Sequence, residues 1–94
     1  MVVNAMERIM IDLLYEYMTA LQMTCTCEEC LNDVLALVLN RVQPRYVTNP
    51  EKVAYVKAEF VDKQQMTTLI VNLAECAKMV SDMPRCENYV RGEK

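Results

Sequence analysis

The stretch that decides the reading is Met23-Thr24-Cys25-Thr26-Cys27-Glu28-Glu29-Cys30-Leu31-Asn32-Asp33-Val34-Leu35-Ala36-Leu37-Val38-Leu39. It holds three of the five cysteines, spaced Cys-x-Cys-x-x-Cys, and runs directly into an apolar segment. Thr26-x-x-Glu29 fits a capping box, which predicts a helix over residues 26–40. Residues 34–39 are apolar nearly all round, so this helix should be central and buried on most sides. Asn32 and Asp33 on its second turn need hydrogen-bond partners if they are buried.

Cys27 and Cys30 lie three residues apart, so both can face one point. A helix N-terminus offers unpaired N–H groups and a positive dipole end, which favour thiolates. Zinc takes four ligands in a tetrahedron, usually thiolate or imidazole. The chain has no histidine, which leaves cysteine as the natural ligand and carboxylate as second choice.

A fourth ligand must come from elsewhere in the chain. Cys76, on the apolar face of the last expected helix, is the choice; Cys86 is the rival. The expected metal set is therefore Cys25, Cys27, Cys30 and Cys76, holding Zn2+. Such a site would staple residues 25–30 to the C-terminal helix. Its apparent binding free energy, ~10–16 kcal/mol for structural zinc at neutral pH, is as large as the whole stability of a typical domain, ~5–15 kcal/mol. Four thiolates around one zinc ion are dianionic, and Arg85 and Lys78 are the candidate cations to offset that charge if the last helix packs there. The spacing leaves a Cys27/Cys30 redox pair open, although the βαβ context of such pairs is missing. An iron–sulfur cluster ranks below zinc because there is no second compact cysteine group.

Outward from this core, Met6, Ile9, Met10, Leu13, Leu14, Tyr17, Met18 and Leu21 recur at spacings of three and four. They predict an amphipathic helix over residues 5–22, capped by Asn4 with Glu7 three residues later. Pro44 ends the second helix, and residues 45–48 should be extended. Thr48 or Asn49 caps the next helix, with Pro50 in its first turn. Residues 51–83 contain neither Gly nor Pro. An unbroken helix over 50–81 would be about 48 Å long at ~1.5 Å per residue, so a break is expected near Asp62-Lys63-Gln64, or packing on a second chain. Tyr55-Val56-Lys57 is β-prone and could pair with Tyr46-Val47. Pro84 ends the last helix, and residues 85–94 should fray.

The expected fold is thus mainly α: one small domain of three to four helices over residues 1–94. A short β-element is expected near 45–48 and 54–57, and the zinc site staples the whole. Composition agrees. Of 94 residues, 53% are apolar and 24% charged, with one Gly and three Pro, too few turn residues for an all-β fold. No apolar run approaches the ~18 residues of a membrane span. No signal peptide is legible at the N-terminus, so a cytoplasmic, reducing compartment is expected.

The central block, with Pro44-Arg45-Tyr46-Val47-Thr48 and Ala54-Tyr55-Val56-Lys57-Ala58-Glu59, resembles the late-competence ComFB family over residues 5 to about 82. The commoner family pattern has two prolines where this chain has Gln43-Pro44 before Arg45-Tyr46. The resemblance implies a small bacterial cytoplasmic protein linked to DNA uptake, a homodimer, and cysteine-bound zinc. It also implies cyclic di-GMP as a candidate ligand, since similar domains act as receptors for it. The residues permit such a site: Arg41, Arg45, Tyr46 and Lys57 are the candidate ligand-binding residues. Arg45 could grip a phosphate bidentately while Tyr46 offers a stacking face.

Three functions follow. The first is a regulatory or adaptor homodimer with structural zinc, binding cyclic di-GMP or an unidentified protein. The second is a thiol-redox or metal-dependent enzyme using the cysteine cluster. It lacks histidine, the commonest general base, and no catalytic residue is assigned. The third is a DNA-binding zinc module, against which the net charge of −3 and the absence of a basic helix count.

Overall fold

Asn4 starts the first helix. Its Oδ1 accepts from the Met6 N–H at 3.1 Å, and α1 runs over Ala5–Glu16. The same oxygen accepts the Arg45 N–H at 2.9 Å, so one side chain caps a helix and anchors a distant loop. That loop carries β2 (Tyr46–Val47), which pairs antiparallel with β1 (Val3–Asn4), Val3 opposite Val47 and Asn4 opposite Tyr46. These elements belong to a computed structural model that describes residues 2–84 and Cys86.

The extended segment at 45–48 thus forms a strand, but its partner is the N-terminus. Residues 54–57, expected as a possible second strand, lie inside α4 (Val53–Glu59). Asn49 explains this. Its side chain accepts from the Glu51 N–H at 2.8 Å and opens a 3-10 turn over Pro50–Lys52 that leads straight into the helix. A locally nucleated helix overrides the β-propensity of Tyr55 and Val56.

The other long-helix expectations divide similarly. The helix expected over 5–22 breaks at Tyr17, and a single turn, α2 (Met18–Leu21), ends on Gln22 at φ 52. The helix expected over 26–40 is α3 (Glu28–Leu39), capped by Cys27 instead of Thr26. The break near residue 62 is present: α4 ends at Phe60, and α5 runs Lys63–Asp82. The order is β1-α1-α2-α3-β2-α4-α5.

α1 buries Ala5, Met6, Ile9, Met10, Leu13 and Leu14 against α3, α4 and α5. α3 contributes Cys30, Leu31, Val34 and Val38, and α5 contributes Leu69, Leu73, Cys76, Ala77 and Val80. Each large side chain fully removed from water contributes roughly 1.5–3 kcal/mol before entropy is charged. α3 is less enclosed than its composition suggests. Leu35, Leu37 and Leu39 are half-buried, Ala36 and Asn32 are exposed, and Asp33 is half-buried. With α5 it borders an open groove of about 480 Å³ lined by Asp33, Ala36, Leu37, Met79, Val80, Asp82 and Met83. Met79 and Met83 are 49% and 64% exposed there. No helix among the described residues is long and apolar enough to cross a membrane.

α3 and α5 run antiparallel. Beyond the C-terminal end of α3, Arg41 pairs with Glu75 at 2.7 Å. At its N-terminal end, Cys30 meets Cys86 at 3.3 Å. This orientation decides which cysteine can join the cluster.

Candidate metal centre

Two thiols of the site are fixed by the start of α3. Cys27 is its N-cap: the backbone is extended there, and the sulfur accepts from the Cys30 N–H at 3.5 Å. Cys30 sits in the first turn, fully buried. Cys25 lies in the preceding loop, half-buried, with its sulfur 3.5 Å from that of Cys86. Cys86 follows the end of α5 and is buried. The Cys30 thiol donates to its sulfur at 3.3 Å.

The four sulfurs of Cys25, Cys27, Cys30 and Cys86 all lie within 4.8 Å of one another. A tetrahedral site with metal–sulfur bonds of ~2.3 Å has sulfur–sulfur edges of about 3.8 Å. The donor set and its spacing therefore suit a soft or borderline divalent ion bound entirely by thiolates. All five cysteines lie outside disulfides.

Protonation is consistent with thiols held close together. Burial pushes the Cys30 thiol far up, and the neighbouring sulfurs of Cys86, Cys25 and Cys27 add to it. At Cys25 the Cys27 backbone N–H favours the thiolate, but burial and hydrogen bonding with the Cys86 and Cys27 thiols outweigh it, and the net direction is upward. A cation placed among these sulfurs would displace their protons.

The structure brings together three of the four expected ligands. Cys76 is outside the group and Cys86 stands in its place. The antiparallel packing is the reason. Cys76 faces the core level with the C-terminal end of α3, where Arg41 and Glu75 act on it. α3 is about 18 Å long at ~1.5 Å per residue, and the cluster lies at its other end. Burial raises the Cys76 thiol, with Arg41 opposing and Glu75 reinforcing the rise, so it behaves as a small core residue. Cys86 was legible only as a rival, because a ligand past Pro84 looks like part of a tail. Lys78 is exposed and pairs with Asp82 at 3.3 Å. Arg85 lies outside the described residues.

The three cations among the candidate ligand-binding residues are already engaged. Arg45 grips Glu59 bidentately at 2.6 and 3.0 Å. The hydrogen bond and charge of Arg45 hold the Glu59 carboxyl below its ordinary range. Arg41 pairs with Glu75, and Lys57 reaches Asp12 at 3.7 Å. Arg41 and Arg45 both line a shallow depression of mixed character, with Met6, Val42, Phe60 and Leu69 beside Gln43, Gln65, Thr68 and Asn72. Tyr46 is 65% exposed, and neither it nor Lys57 lines that depression.

Residues 3–84 match the family model described as late competence development protein ComFB. The chain is 56% identical over 84 residues to Competence protein ComFB of Bacillus subtilis strain 168, covering 89% of this chain and 86% of that one. It also superposes on a solved structure of the late competence protein ComFB from Bacillus subtilis with a TM-score of 0.88 at 53% identity, covering 95% of this chain and all of the other. The chain belongs to the late competence ComFB family.

Proposed function

We propose that this chain is a non-catalytic regulatory or adaptor protein of late competence, cytoplasmic and homodimeric, whose fold is held by one zinc ion on Cys25, Cys27, Cys30 and Cys86. The observation that carries the proposal is the convergence of four thiols from two distant parts of the chain within 4.8 Å. Zinc bound there would act as a crosslink, supplying charge to four thiolates and tying the α3 N-terminus to the segment after α5. A site whose four positions are all filled by protein leaves no place for a substrate, which favours a structural over a catalytic role.

The dimer rests on the α3–α5 groove. Leu37, Met79 and Met83 are apolar side chains left partly open to water along two core helices, and Met adapts readily to a partner surface. The ligand reading rests on Arg41 and Arg45 sharing one depression of mixed polar and apolar lining. A cyclic dinucleotide would take its phosphates there, competing with Glu75 and Glu59 for the two guanidinium groups.

Native mass spectrometry with and without cyclic di-GMP tests all three parts. The expected spectrum is a dimer with one zinc per chain that gains the dinucleotide. A metal-free, fully folded monomer would overturn the reading. A zinc-loaded dimer that ignores cyclic di-GMP would remove the ligand and leave an adaptor for a protein.

A further inference from the structure

Two hydrogen bonds join the cysteine loop to the end of α5. The Thr24 N–H donates to Ser81 Oγ at 3.2 Å, and the Thr24 hydroxyl donates to the Ser81 carbonyl at 2.9 Å. Thr24 directly precedes Cys25, and Ser81 lies in the last turn of α5, five residues before Cys86. The Ser81 carbonyl is one of the four at a helix C-terminus that have no partner within the helix. The Thr24 hydroxyl supplies that partner from 57 residues away.

The four thiols differ in what holds them. Cys27 and Cys30 are fixed by the N-terminal turn of α3 itself. Cys25 stands in a loop, and Cys86 follows the helix end at Met83 (φ −141, ψ 71) and then Pro84. Neither sits in a regular element that fixes its direction. The Thr24–Ser81 pair sets the distance between the chain entering Cys25 and the chain leaving toward Cys86, and those two sulfurs are 3.5 Å apart.

We infer that Thr24 and Ser81 are positioning residues for the metal centre: the two hydrogen bonds that Thr24 donates to Ser81 hold the Cys25 and Cys86 thiols at metal-binding distance. The inference rests on the metal reading above. The pair is solvent-exposed, so it adds little to the fold as such. Its effect falls on the metal, because partners that orient ligands commonly change metal affinity by ~10–100-fold.

The test uses the full chain and Co2+ as a spectroscopic probe, followed by Zn2+ competition against a chromogenic chelator. Thr24→Val removes the hydroxyl at nearly constant shape, and Ser81→Ala removes the other acceptor while favouring the helix. Each should weaken Zn2+ binding by ~10-fold or more, with the thiolate-to-cobalt absorption of four sulfurs retained at saturation. Thr24→Ser, which keeps the hydroxyl, should bind as wild type does. Metal-free wild type and variants should melt together, while the loaded variants melt below loaded wild type. Unchanged affinity in both variants overturns the inference, as does Thr24→Ser binding as weakly as Thr24→Val. An equal loss of melting temperature with and without metal would make the pair an ordinary fold contact. Wild-type protein that takes up no Co2+ would overturn the metal reading itself, a result visible before any variant is compared.

Discussion

The Cys30 sulfur lies 3.3 Å from the Cys86 sulfur, across 56 residues of chain. Cys30 is rooted in the first turn of α3, while Cys86 lies beyond the last turn of α5. Antiparallel packing of the two helices is what makes them neighbours. Cys86→Ser should therefore abolish stoichiometric zinc as completely as Cys27→Ser, read by metal analysis of the purified protein. A fully loaded Cys86→Ser protein would mean that another group completes the site.

Cys76 gives the complementary result. It is fully buried, outside the cluster, and its thiol is pushed toward the neutral form by burial. Cys76→Ser should keep one zinc per chain. It should still lose about 1–3 kcal/mol of stability, because a hydroxyl replaces a thiol in an apolar site. Chemical denaturation with parallel metal analysis separates the two effects.

The elements legible in the sequence were those with local causes. Asn4 and Asn49 cap helices through side chains two residues from the N–H groups they accept, and Cys25, Cys27 and Cys30 form a cluster by spacing alone. What required the third dimension was the relative direction of α3 and α5. Both helices are apolar along their core faces, and periodicity reads the same whichever way a helix points. A parallel arrangement would bring Cys30 toward the start of α5. The antiparallel one carries it past the helix end, where a lone cysteine after Pro84 gave no periodic signal. Tyr46 shows the same limit: β-propensity marked an extended residue, but the partner strand at Val3–Asn4 is two residues long and carries no pattern of its own.

Removal of metal should act on the whole fold. The cluster ties α3 to α5, and these two helices bury much of the core. With structural zinc contributing up to ~10–16 kcal/mol of apparent free energy, a strong chelator should turn a single cooperative melt into a broad, low-temperature one followed by circular dichroism. Restoring zinc under reducing conditions should recover the original transition. A chelated protein that melts unchanged would leave the thiols as core residues only.

The α3–α5 groove predicts how the dimer would be broken. Leu37 on α3 lines it together with Met79 and Met83 on α5. Because Leu37 is half-buried and not part of the enclosed core, Leu37→Glu should leave the monomer folded and zinc-loaded while placing a charge at the contact. Sedimentation velocity should show a monomer at concentrations where the unaltered chain is expected to sediment as a dimer. A dimer of undiminished stability would place the interface elsewhere.

Arg45 and Glu59 set the terms for any anionic ligand. Both oxygens of Glu59 accept from the Arg45 guanidinium, so a phosphate must displace the carboxylate before it can use that arginine. Arg45→Ala should weaken cyclic di-GMP binding at least tenfold without unfolding the protein. Glu59→Gln should strengthen it, because the competing charge is gone. The pH response has a definite sign. Arg45 lowers the Glu59 pKa on folding, so the pair's contribution is present above the unfolded carboxylate value of about 4.3 and is lost as pH falls through the lower folded value. At neutral pH Glu59 therefore competes as the carboxylate, and Arg45 is released only as pH falls below the ordinary carboxylate range. Calorimetric titration of the two variants decides the matter: equal affinities for wild type, Arg45→Ala and Glu59→Gln would remove this pair from the ligand site.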